Sequence, residues 1–162
     1  MSLPSEVRYR KLKSYKYATT VEHVYILKWD AQDNWTGRPL AVRSPGPTSA
    51  KVEPWLELTS DCRLIIQPGY AWDGTSGPSV DTKTNQRGGL IHDALYQLCR
   101  SSELDPPSIY RNLADKVFRQ VLIEDGMWRA RAAWHYHGVA IFGAKYAAPQ
   151  GPTAGEKEYR AP

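Results

Sequence analysis

Residues 88–100, GGLIHDALYQLCR, set His92 beside Asp93 and place Tyr96 four positions after the histidine. Asp115 follows in YRNLADKVF, 23 residues downstream (115 − 92). An imidazole titrates near neutral pH and can take a proton from a water that attacks an ester carbonyl. A carboxylate on a neighbouring helix can fix the imidazole tautomer and stabilise the imidazolium, as in the Asp–His pair of a catalytic triad but with no serine. Asp93 is turned about 100° around a helix from His92. It can therefore point into the preceding loop and bind a hard cation together with loop carbonyls, the mixed oxygen set that calcium prefers. Such an ion would polarise the carbonyl and neutralise the oxyanion. A plainer reading stands beside this one. An acid near a helix start is favourable through the helix dipole alone, Asp73-Gly74 can be a turn, and Asp115 can be a solvated residue on a helix face.

The elements that must position these residues show in the apolar spacing. Ile91, Leu95 and Leu98 form one stripe and His92 and Tyr96 an adjacent one, which predicts a helix over 89–100. SSELDPPS breaks it, and Leu113, Val117, Val121 and Leu122 predict a second helix over 110–124, closed by Asp125-Gly126. Asp115 and Phe118 lie off the centre of that stripe, three apart on one face. The short break predicts an antiparallel return with His92 facing Asp115. A third helix is expected within 126–148, where Trp128, Trp134, Tyr136 and Phe142 could rim a membrane-facing entrance. Aromatics at helical spacing are more often core, so they are assigned there. His135 and His137, two apart, point roughly 200° from each other on a helix and cannot share a metal; both read as structural or exposed.

Upstream, YATTVEHVYILKW predicts a strand over 17–29, and WLELTSDCRLIIQPGY a hairpin over 55–70 turned at Ser60-Asp61. The Pro-rich stretch 31–54 between them reads as a loop. Residues 71–88, punctuated by Gly and Pro, read as a long loop of the kind that often carries function. Strands followed by helices indicate an α+β fold. A small antiparallel sheet precedes the helix pair and a third, C-terminal helix. The expected organisation is one domain over 1–148, strand-rich at 8–70, loop at 71–88 and helical at 89–148, with an extended or flexible arm at 149–162. A metal phosphohydrolase of the HD type would need an additional histidine on an earlier helix. The only upstream one is His23, in a strand-like run.

At 162 residues, 41% hydrophobic and 23% charged, the chain has the composition of a globular protein with a real core. Its net charge of +4 favours an anionic surface of phosphate or phospholipid. No basic run exceeds two residues, and no nucleic-acid partner is expected. Cys62 and Cys99 suggest neither a disulfide framework nor a metal knuckle, so the fold does not depend on an oxidising compartment. No stretch resembles a signal peptide or approaches the length of a bilayer span, which predicts a protein made in a cytoplasm and not exported by the usual route.

The stretches GYAWDGTSGPSVD, GGLIHDALY and YRNLADKVF resemble the secreted phospholipase A2 superfamily, especially the disulfide-free version of parvovirus capsid proteins. The shared features are a Pro-Gly-Tyr approach to a glycine loop, a later Pro, the HDxxY helix, and a helix carrying Tyr and then Ala-Asp-x-x-Phe. This resemblance covers about a third of the chain. It implies His92 as general base, Asp93 as calcium carboxylate, Asp115 as partner of the histidine, and Tyr96 as a hydrogen-bond donor to that partner. Tyr70, Trp72, Gly74 and Gly77 fall where the calcium loop would lie. Here the loop lacks the usual closely spaced glycines and adds Asp73.

A longer resemblance runs from WDGTSGP through RGGLIHDALYQLCR, ADKVF, EDGM and FG. Over most of its length the chain is similar to the domain-of-unknown-function family 1353 of tailed bacteriophages and prophages. That likeness implies a phage protein, made in the host cytoplasm, with assembly into the virion beside other virion proteins as one outcome. Two function classes follow. One is a calcium-dependent hydrolase of phospholipid acyl esters whose partner is a phospholipid membrane; the His-Asp-Asp constellation favours it. The other is a virion structural or adaptor protein of tail, neck or capsid, oligomeric or not, that keeps the helix pair as scaffold. The Pro-rich excursion and the C-terminal arm favour the second.

Overall fold

Alternation of buried and exposed side chains builds the strand half, and a period near four builds the helical half. The computed structural model describes residues 7–11, 17–28, 40–43, 54–72, 74, 83–101 and 107–143. The fold is α+β. All seven described strands precede the three described helices.

Two antiparallel sheets form, where one was expected. The first has the order β1-β2-β7, from Tyr9–Lys11, Tyr17–Thr19 and Ala71–Trp72. The second has the order β3-β6-β5-β4, with β3 His23–Ile26, β6 Arg63–Ile66, β5 Pro54–Leu58 and β4 Leu40–Arg43. The stretch 17–29, read from sequence as one strand, is divided between them. Thr19 exchanges backbone hydrogen bonds with the 69–70 turn, whereas His23 pairs with Ile66, so the chain bends at Thr20-Val21 to reach a different partner. The expected hairpin is β5–β6, in the register Leu56↔Ile66 and Leu58↔Leu64. Its turn contains Ser60-Asp61, and the Thr59 hydroxyl donates to Asp61 at 2.5 Å. β4 lies inside the stretch expected to be loop. Leu40–Arg43 is too short to declare itself and becomes a strand by pairing with β5.

α1 spans Lys83–Ser101, α2 Pro107–Glu124 and α3 Arg129–Phe142. α1 therefore starts six residues before the expected Gly89, inside the stretch 71–88 read from sequence as loop. KTNQR shows no apolar period because this turn buries polar Asn85 and Gln86. His92 consequently sits near the middle of α1, outside the reach of an N-terminal dipole, which removes the dipole explanation of His92-Asp93. α2 ends at Glu124, and Gly126, at φ 86°, turns the chain while Met127 N–H bonds the Leu122 carbonyl. Arg87 meets Asp125 whereas His92 meets Asp115, so advancing along α1 means retreating along α2. The two helices are antiparallel.

One core joins the sheets to this pair: Tyr17, Leu56 and Leu64 cluster with Leu90, Ile91 and Val121. A second cluster, Phe118, Leu122, Met127, Ala132 and Val139, seats α3 on α2. The aromatic residues assigned to the core from their spacing are placed otherwise. Trp128, Trp134 and Phe142 are exposed and Tyr136 is half-buried, because the inward stripe of α3 is Ala132, His135 and Val139.

Lys28, just after β3, reaches Glu124 at the end of α2 at 2.8 Å, and Arg87 of α1 ties the two helices together, reaching Asp125 at 2.7 Å and Glu124 at 3.2 Å. Next to them His23 is buried, and burial, helped by the Arg87 charge, lowers its pKa from 6.5 to about 4. A histidine depressed in the folded state costs stability as pH falls below its unfolded value, and the loss continues down to the folded pKa. Acidification from pH 6.5 to 4 should therefore remove roughly 3 kcal/mol through His23. Urea melts across that window should show a shallower loss in His23→Gln; an identical slope would assign the acid sensitivity elsewhere.

Candidate active site

The i,i+4 spacing in α1 stacks His92 and Tyr96 with ring centroids 4.0 Å apart, so both side chains arrive at the same point on α2. That point is Asp115. His92 Nε2 lies 3.0 Å from Asp115 Oδ1, and the Tyr96 hydroxyl donates to the same oxygen at 2.6 Å. Phe118, almost one turn along α2, sets its ring 5.0 Å from the imidazole. His92 and Asp115 are only 5% and 1% exposed. In so dry a setting a hydrogen bond to a carboxylate is strong and its loss is costly.

Nε2 facing a carboxylate is the protonated nitrogen of the neutral ring, which leaves the lone pair on Nδ1. Nδ1 looks towards Asp93, whose Oδ1 is 3.6 Å away, beyond hydrogen-bond range. Burial by itself would lower the His92 pKa. The hydrogen bond to Asp115 and the neighbouring Asp93 carboxylate outweigh it, and the net shift is upward from 6.5. Burial first, and then the bond to Asp115, push the Tyr96 phenol up, so it remains a donor at any physiological pH. The group thus holds an oriented imidazole, bonded at Nε2 to Asp115, with Nδ1 turned to the Asp93 side and its pKa raised.

Sequence reasoning missed two supports of this group. Arg111, one turn before Asp115, brings Nε to 3.9 Å from Asp115 Oδ2, and its other end donates to the Ala140 carbonyl at the end of α3. The i,i+4 spacing of Arg111 and Asp115 was the available signal. Gly143, just after α3, lies against the Tyr96 hydroxyl, where an added Cβ would overlap it. The end of α3 therefore closes over Tyr96, which no local pattern announces.

The residues proposed for a calcium loop separate into three groups. Asp73 and Gly77 lie outside the described residues. Tyr70 and Trp72 belong to the first sheet and the core: the Tyr70 carbonyl accepts the Thr19 N–H at 2.9 Å, and Trp72 pairs with Tyr17 with its ring 5.4 Å from the tyrosine. The pattern hid this because Ala71-Trp72 is a two-residue strand that exists only through its partner β2. Gly74, buried and at φ 78°, follows β7, which packs against α1. Asp93 keeps 24% of its side chain exposed. Among the described residues no cluster of three or more His, Cys, Asp or Glu side chains could hold a metal. His135 is buried edge-on to Phe118 and His137 is exposed.

No family model matches this chain, and no curated protein or solved structure matches it either. Among the described residues no helix is long and apolar enough to cross a membrane.

Proposed function

We propose that His92 and Asp115 form the general-base couple of a calcium-dependent hydrolase of phospholipid acyl esters. The observation that carries this reading is the 3.0 Å contact of His92 Nε2 with Asp115, a carboxylate also held by Tyr96, with Nδ1 left to take a proton. Nδ1 removes a proton from water as the water oxygen bonds to the ester carbonyl carbon. The bond from that carbon to the glycerol oxygen then breaks, and the imidazolium returns its proton to the leaving alkoxide. Fatty acid and lysophospholipid result. Asp115 stabilises the imidazolium between these steps. Asp93 and the turn at Gly74 would hold calcium, which supplies Lewis-acid polarisation of the carbonyl.

The stretches from WDGTSGP to FG that resemble the tailed-phage family are what supports reading this as a phage protein made in the host cytoplasm, with assembly into the virion as one outcome. The near-complete burial of the couple favours a second reading, in which a virion structural or adaptor protein keeps it as scaffold.

The test is fatty-acid release from mixed phospholipid vesicles with calcium and then with chelator. Release should require calcium. Millimolar calcium should also raise the melting temperature by binding the native state, and Asp93→Asn should remove most of that gain. Background release in every sample, with melting indifferent to calcium, leaves the scaffold reading.

A further inference from the structure

α3 is apolar on two sides, and among the described residues only one of them is covered. Four of the six exposed large hydrophobic side chains among the described residues belong to this helix and its first flanking residue: Trp128 at 77%, Trp134 at 55%, Ile141 at 69% and Phe142 at 65% exposure. Trp134 and Ile141 are seven apart and lie on one line of the helix. Ala130 and Gly138 lie near that line, and a Cβ added at Gly138 would meet nothing within 4 Å, so the two large side chains stand out from a low ridge. Exposed apolar surface of this extent marks an interaction site.

The charges say what kind of partner fits. Arg129 and Arg131 are exposed, and among the described residues neither has an ion-pair partner. The chain carries no carboxylate from Gly126 to Gly155, and the nearest ones upstream, Glu124 and Asp125, are engaged by Lys28 and Arg87. We propose that the outer face of α3 docks on an anionic phospholipid bilayer. Trp134 and Ile141 on the outer line suit the boundary between headgroups and acyl chains, Trp128 and Phe142 extend it at the two ends, and Arg131 and Arg129, turned about 60° and about 140° from Trp134 to either side, flank it where lipid phosphates lie. A second copy of the same face would oppose arginine to arginine with no carboxylate to compensate. A folded acidic partner would need pockets matched to each side chain. A fluid headgroup layer receives side chains standing apart on a convex helix without such matching. The inference rests on α3 alone and does not require hydrolysis at His92.

The experiment is co-sedimentation of the full chain with vesicles of phosphatidylcholine, alone or mixed with phosphatidylglycerol. Binding to the mixed vesicles should be at least ~10-fold stronger and should weaken as salt screens the arginines. Arg129→Gln with Arg131→Gln should erase the preference for phosphatidylglycerol. Trp134→Ala with Ile141→Ala and Phe142→Ala should cut binding at least ~10-fold, at an unchanged circular dichroism spectrum and melting temperature. His92→Ala should bind like the wild type, which separates docking from catalysis. The inference is overturned by absence of vesicle binding, by binding indifferent to both sets of substitutions, or by a dimer in gel filtration that Trp134→Ala splits, since the face is then covered by a second copy.

Discussion

Alanine at position 92 is expected to lower fatty-acid release by at least ~10²-fold, the low end for losing a positioned general base. The proton acceptor is then absent, while the rest of the site, including Asp93, is retained. Two companions make the result specific. Asp115→Asn leaves an amide that can still hold the ring at 3.0 Å but cannot stabilise the imidazolium, so turnover should fall while the fold survives. Tyr96→Phe removes one supporting hydrogen bond, worth about 1 kcal/mol, and should cost about fivefold. Initial rates on short-chain phospholipid give all three. If His92→Ala and the wild type release fatty acid equally, the couple is not the base.

Asp115→Ala should be the most destabilising change in the site, by about 3–5 kcal/mol, against a total of about 5–15 kcal/mol for a domain of this kind. One oxygen of Asp115 accepts from Tyr96 and faces His92, and the other is the nearest carboxylate oxygen to Arg111 Nε. Truncation leaves the Tyr96 hydroxyl and His92 Nε2 buried without their acceptor and Arg111 without its nearby charge. Denaturant unfolding measures the loss, and a cost below about 1 kcal/mol would show that water had entered to replace the carboxylate. The pH dependence supplies a second signature. The His92 pKa is raised in the folded state, so its contribution is full below the unfolded value of 6.5 and fades as pH rises through the folded value. Asp115→Ala should flatten that alkaline decline.

What the sequence determined by itself was the local part of this design. Ile91, Leu95 and Leu98 define one face of α1, while Val117 and Val121 define one face of α2. The i,i+4 spacing then carries His92 and Tyr96 together, and a short break returns the second helix so that Asp115 can meet them. These features were legible because a helical period needs no distant partner. The hairpin of β5 and β6 was legible for the same reason, since two alternating runs and their turn are contiguous.

The rest was decided by tertiary contact. Nothing within residues 17–29 says that Tyr17–Thr19 joins β7 while His23–Ile26 joins β6, because both halves alternate alike and only the partners differ. Trp72 read as part of a loop until β2 supplied the backbone groups that make it a strand. The first turns of α1 were hidden because Asn85 and Gln86 are polar residues buried by their surroundings. On α3, Val139 and Trp134 are equally plausible core residues by composition. α2 can cover only one side of a helix, and it covers Val139. Trp134 is left to solvent because burial is set by the reach of the neighbouring surface, a quantity no single segment contains.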